Sequence, residues 1–176
     1  GGVALAARLR SVDTNNGTLT FSSQEHWQVA STHVGSLDGL ELVAASDVSQ
    51  ALRPDEVRVA ISAIGLNFLD VVRTLGMVDI TDRPLLAEGS GIILDVGSEV
   101  NSLRPGDRVM GLMSTAGGTV ALAAQSMLAQ IPGNMPMVQA ATIPINFLTA
   151  LLGLQDIGKL RTGERVLIHA ATGGTG

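Results

Sequence analysis

Between Leu40 and Ile131 the chain falls into short apolar stretches divided by glycine, proline and polar turns, and this rhythm limits its fold more than any other feature. Leu40 to Ala44, Glu56 to Ile64, Gly89 to Val96, Arg108 to Leu112, Thr119 to Ala124 and Leu128 to Ile131 each have the length and residue bias of a strand. Trp27 to Ala30 is a further candidate, its tryptophan suited to an edge or interdomain contact. In the second stretch Val57, Val59, Ile61 and Ala63 alternate with Glu56, Arg58, Ala60 and Ser62, a period of two with an imperfect outer face. Phe68, Val71, Val72 and Leu75 instead repeat at helical spacing, and Gly76 ends that run. Many short strands with such punctuation predict a compact barrel, mainly β.

Aromatic residues make up only 2 % of a chain that is 45 % hydrophobic, so the core must be built from Val, Ile, Leu, Ala and Met. Met110, Met113, Met127, Met135 and Met137 suit gap-filling better than a ligand set. Near residue 136 the character changes. Pro136 to Leu154 reads as two helical pieces, with Pro144 in the first turn of the second. The 176 residues suffice for one domain, or one domain and part of another. The expected divisions are an upstream flank over 1–35 with a polar turn at Asp13 to Gly17, a β-rich domain over 36–135, connecting helices over 136–160, and the start of an α/β domain over 161–176. A start at Gly1-Gly2 without Met suggests a piece of something longer.

The net charge of −5 and the scattered basic residues argue against nucleic acid. No apolar run approaches the roughly 18 residues of a membrane span, and no signal-peptide pattern opens the chain. With no cysteine, disulfides and thiolate metal sites are excluded; His26, His33 and His169 stand far apart, so a zinc site is not supported.

Arg165 to Gly176 reads as a buried parallel strand, Val166-Leu167-Ile168, entering a glycine-rich turn. Glycines there let backbone N–H groups approach a pyrophosphate. The spacing Ala171-x-Gly173-Gly174-x-Gly176 is a variant of the dinucleotide pattern, weak alone and strengthened by the strand before it; a flexible glycine-rich tail is the competing reading. No Lys-Ser or Lys-Thr follows, so a mononucleotide P-loop is not supported.

Asn67 and Asp70 lie one helical turn apart and could face one cleft, with Arg73 beyond them. Spacing alone favours a simpler arrangement, a helix N-cap at Asn67 with Asp70 and Arg73 solvated. Glu88, in an apolar glycine-rich stretch, needs a partner if it is buried, although it could be exposed.

Taken in order, several blocks resemble the enoyl reductase domain of modular (type I) polyketide synthases, in the zinc-independent medium-chain dehydrogenase/reductase superfamily. They are Gly35 to Leu40, Gly65-Leu66-Asn67-Phe68-Leu69-Asp70-Val71, Ala87-Glu88-Gly89-Ser90-Gly91, Pro105 to Leu112, Gln139 to Pro144, Phe147 to Ala150, and Gly163 to Ala170 with its glycines. The resemblance covers about residues 35 to 176.

It implies a GroES-like, partly open β-barrel substrate domain followed by the first strand and glycine-rich loop of a Rossmann domain. It further implies NADPH as cofactor, an enoyl thioester on an acyl carrier protein as substrate, the other domains of the same synthase as partners, and a cytoplasmic setting. Under this reading the substrate pocket includes Asn67, Asp70 and Val78. Cofactor contacts come from Asn67, Ala171, Gly173, Gly174 and Gly176, there is no metal, and the proton donor lies in the Rossmann portion beyond this chain. Ala87 stands before Glu88 where zinc-dependent relatives place a ligand, which fits the metal-free branch. Leu69 replaces an Arg and Val78 a Tyr found in many relatives. Valine cannot donate a proton, so Val78 would shape the pocket.

Two other readings stay open. A stand-alone quinone oxidoreductase shares the pattern of Asn67, Asp70, Arg73 and Gly76, but would start with Met much nearer the first barrel strand; here some 35 residues without Met precede Leu40. The third is a catalytically silent scaffold of the same fold.

Overall fold

The computed structural model describes residue 19 and residues 25–45, 47–80, 84–115 and 117–176. The turn expected at Asp13 to Gly17 lies outside the described residues. Among the described residues, seven strands form two antiparallel sheets: β1 (Trp27–Ser31) pairs with β2 (Leu40–Ala44), and β3 (Glu56–Gly65), β4 (Glu88–Val96), β5 (Arg108–Leu112), β6 (Val120–Ala124) and β7 (Leu128–Gln130) pair in the order β6-β3-β4-β5-β7. The β1–β2 hairpin crosses the boundary expected at 35/36, because Trp27 pairs with Ala44 and Ser31 with Leu40.

The sheets meet through single bonds rather than a ladder. Gln28 bridges Gly118, and Thr119 donates to Trp27 O while its own carbonyl accepts from the Ile61 N–H. Past β5, the Ser114 N–H donates to Leu122 O of β6. The barrel is therefore partly open, as the family resemblance implied, rather than the closed compact barrel that the strand rhythm alone suggested.

Val57 and Val59 of β3 point inward and are fully buried with Ile93, Val109 and Ala121, while Leu103, Met113 and Ala123 complete the core. The alternation of β3 persists only as far as Val59. Register shifts at Arg58/Val59 and Ile61/Ala63 turn the strand, which explains the imperfect outer face in the sequence. Gly91 lets β4 cross this bend, since a Cβ there would press on Ala60 O.

At the start of β3, Glu56 accepts from the Arg53 backbone N–H at 3.2 Å and from its guanidinium at 2.9 Å. Burial opposes ionisation of Glu56, but these hydrogen bonds outweigh it and hold the carboxyl below its ordinary range.

Helix α1 (Phe68–Thr74) follows β3, and α2 (Met137–Ala140) and α3 (Pro144–Leu151) follow β7, with Pro144 in the first turn of α3 and a π-helical turn over Leu152–Ile157. End to end, Met137–Ile157 is helical enough, and at mean hydropathy 1.6 apolar enough, to cross a membrane by length and composition alone. The sequence expectation of no such stretch is corrected in that sense. The stretch is nevertheless broken by Gln139, Thr142, Asn146, Thr149, Gln155 and Asp156.

A second correction concerns Val166 to Ile168. They form no strand and are exposed, Leu167 to 81 %. A parallel strand exists only through hydrogen bonds to a neighbour, and among the described residues none is alongside.

Candidate functional site

Asn67 takes the N-cap position of α1 because extended backbone there (φ −110°, ψ 150°) delivers β3 into the helix. Its backbone N–H donates to Asp70 Oδ2 at 3.0 Å, the reverse half of a capping box. The Asn67 side chain completes the box from the other side and also reaches beyond the helix: Nδ2 donates to Glu88 Oε2 at 2.8 Å, across 21 residues of sequence. Spacing alone had placed that side chain on the helix end, and the capping box bears this out, but it could not show the contact with Glu88.

Asp70 is buried rather than solvated, a correction to the simpler reading. Its second oxygen accepts from the Leu86 N–H at 2.8 Å. Leu86 has φ 54°, a left-handed conformation uncommon for a branched side chain, and the bond from Asp70 holds it there. Thr74 Oγ1 donates to Asp70 O at 2.8 Å. With both carboxylate oxygens occupied by backbone N–H groups, Asp70 braces α1 against the segment leading to β4.

Glu88, the first residue of β4, is 1 % exposed. Oε2 accepts from Asn67, and Oε1 accepts from the Ile145 N–H at 2.6 Å, in the first turn of α3. Gly65 makes this possible, because a Cβ there would sit 2.5 Å from Glu88 Oε2 and collide with Ala141 O. Ser90 Oγ adds a bond to Met137 O at 2.8 Å, and Arg108 reaches the carbonyls of Gly133 and Met135. Together these contacts bind the helical connector to the barrel wall.

One residue after Ile145, Asn146 Oδ1 accepts from Thr175 Oγ1 at 3.2 Å. The glycine-rich turn thus reaches the same seam as Asn67 and Glu88. Within it the Gly173 N–H donates to Ala170 O at 2.8 Å, and a Cβ at Gly176 would collide with that carbonyl. Ala171, Gly173, Gly174 and Gly176 are all exposed. A bare turn with backbone N–H groups open to solvent suits close approach by an anion such as a pyrophosphate.

Val78 lines a cavity whose lining does not include Asn67. This cavity, of about 510 Å³ and lined also by Val34, Arg73, Gly76, Leu85 and Thr115, lies between β1, the end of α1 and the residues after it. Arg73 Nη1 donates to Pro84 O at 2.8 Å on that rim. Among the described residues, no three His, Asp or Glu side chains gather where they could hold a metal ion. The partners of Glu88 lie 21 and 57 residues away, so sequence reasoning could only note that a buried Glu would need some.

Residues 53–143 match the alcohol dehydrogenase GroES-like domain, so the chain belongs to that family. It is 47 % identical over 150 residues to the spectinabilin polyketide synthase system protein NorB of Streptomyces orinoci, covering 85 % of this chain and 7 % of that protein. The enoyl reductases CurK and JamJ superpose with TM-scores of 0.76 at 33 % and 35 % identity, over 86 % and 85 % of this chain and 48 % of each of theirs. The chain therefore spans about half the length of these solved structures and a small part of the synthase. The relatives place it with the medium-chain dehydrogenases/reductases and with modular polyketide synthases, as the ordered sequence blocks implied.

Proposed function

We propose that this chain is the substrate-domain portion of an NADPH-dependent enoyl reductase that reduces an α,β-unsaturated acyl thioester on an acyl carrier protein. In this reading residues 36–135, with the β1–β2 hairpin folded onto them, form the substrate domain; 136–160 connect; and 161–176 begin the cofactor domain. The observation carrying it is the seam at which Asn67, through Glu88 and the start of α3, adjoins the glycine-rich turn. Substrate-side and cofactor-side groups meet there in one chain. Similarity to the enoyl reductases CurK and JamJ supports the reaction class.

NADPH, when bound, supplies a hydride to the β-carbon of the enoyl group. The chain's own residues then bind and orient. The exposed turn of Ala171, Gly173, Gly174 and Gly176 would hold the pyrophosphate, with Ala171, Gly174 and Gly176 offering backbone N–H groups and the Gly173 N–H, bonded to Ala170 O, shaping the turn. Asn67, held by Glu88, contacts the nicotinamide end, and Val78 shapes the cavity that admits the acyl chain. Val78 takes no part in proton transfer, having no proton to give. Asp70 supports the pocket from behind. The carrier protein and the other domains of a cytoplasmic synthase are the partners.

The test is NADPH consumption by the complete reductase region carrying this chain, offered crotonyl thioester on a carrier protein and, separately, a quinone. Turnover of the thioester is expected. Turnover of the quinone alone moves the assignment to a quinone oxidoreductase, and turnover of neither leaves the silent scaffold.

A further inference from the structure

Glu88 is the most deeply buried carboxyl among the described residues, and both its hydrogen-bond partners are neutral donors. A carboxylate only accepts. Facing Glu88 Oε2, the Asn67 amide can therefore present only its nitrogen, which fixes which way its oxygen points. The second donor, the Ile145 N–H, belongs to the backbone of α3 and cannot turn. Gly65 seals the arrangement from the other side, since any Cβ there would strike Glu88.

We propose that Glu88 is a positioning residue: it sets the orientation of the Asn67 amide and locks it to the start of α3, so that the substrate side and the glycine-rich turn keep one relative geometry. This rests on the enoyl reductase reading for its kinetic consequence, though not for its structural one. The distinction appears on replacing Glu88 by Gln, which has the same shape and one acceptor instead of two. The fixed Ile145 N–H claims the oxygen of the introduced amide, leaving its nitrogen against Asn67 Nδ2. Two donors in contact are unfavourable. They are relieved when the Asn67 amide turns over and presents Oδ1 to the introduced amide nitrogen. Glu88→Gln therefore inverts Asn67 without displacing the fold.

The experiment uses the complete reductase region with Glu88→Gln, Asn67→Ala and the double variant. Two readouts are taken: kcat/KM for crotonyl thioester, and the side-chain amide protons of Asn67 by ¹⁵N-resolved NMR, identified by their loss in Asn67→Ala. Wild type is expected to show one Asn67 amide proton protected from exchange, and Glu88→Gln to abolish that protection. Glu88→Gln should lower kcat/KM by about tenfold to a hundredfold, the scale of a displaced orienting group. In the Asn67→Ala background the same change should have less than about a twofold effect, because its action runs through Asn67. Equal losses in both backgrounds overturn the proposal, as does an unaltered amide signal in Glu88→Gln. If wild type reduces no enoyl thioester, the functional reading fails, while the amide signal still decides the role of Glu88. If Glu88→Gln does not fold, the wild-type signal decides alone: exchange as fast as that of an exposed asparagine refutes the clamp.

Discussion

The barrel wall and the segment from α3 to Gly176 are both rich in Val, Leu and Ile, yet they fare differently. In the wall, Val57, Val59, Val109 and Ala121 are wholly buried. In the other segment Phe147, Leu148, Leu151, Leu152, Ile157, Val166, Leu167 and Ile168 are exposed. α3 meets the sheet only along one side, where Pro144, Phe147 and Leu151 face Met110, Leu112 and Leu128 across an apolar cavity of about 550 Å³. Apolar composition marks a face that needs covering, and a second layer must supply the cover. The wall finds its layer within the chain. The later segment finds part of one.

The contrast breaks most sharply at single side chains. Ile93→Ala should destabilise this chain by about 2–5 kcal/mol, the range for large-to-small core changes, while Leu167→Ala should shift it by no more than about 0.5 kcal/mol. Urea midpoints of the two variants check this, and equal shifts would show the sheet core to be no more cooperative than the tail.

Gly65→Ala should follow. Its added methyl cannot be accommodated beside Ala141 O and Glu88, and a loss of about 1–3 kcal/mol is expected from such overpacking. Gly174, whose Cβ would only touch Asn146 Oδ1 at 3.5 Å, should tolerate the same change. Thermal melts of both variants measure the difference.

Asp70→Asn sharpens the distinction between the brace and an exposed carboxyl. The amide accepts only at one atom, so either the Asn67 or the Leu86 N–H loses its partner, at a cost of about 1–3 kcal/mol. Protection of the Leu86 or Asn67 amide against hydrogen exchange should fall. Unchanged protection at both would remove Asp70 from the frame.

The smallest effect is the pH response of the wall. Glu56 has its folded pKa lowered by Arg53, from an ordinary value of 4.5. Its contribution is therefore complete above the unfolded value and is lost as the pH falls through the folded one. The gap in denaturant midpoint between wild type and Glu56→Gln should be widest near neutral pH and shrink below about pH 4. A gap that stays constant down to about pH 3 would mean that the Arg53 contacts do not act through ionised Glu56.

Legibility followed the range of the interactions. Leu40–Ala44 and Arg108–Leu112 were readable to the residue, and β3, β4 and α1 to within one, because strand and helix periods and their glycine stops are local. Pro144 marked the start of α3 for the same reason. At the site, the sequence singled out Asn67, Asp70, Glu88 and Val78, but not how they divide. Val78 lines one cavity, Asp70 is a brace, and Asn67 turns to Glu88.

The sequence by itself determined where strands, turns and helices fall, and that the core is aliphatic, since backbone sterics and residue size act within a few positions. Only the tertiary structure decided the strand order β6-β3-β4-β5-β7, the open edge of the barrel and the unpaired course of Val166 to Ile168. It alone also joined Glu88 to Ile145, 57 residues further along the chain. A strand needs a neighbour and a buried carboxylate needs donors. Both are supplied by whichever parts of the chain the packing of the core brings alongside.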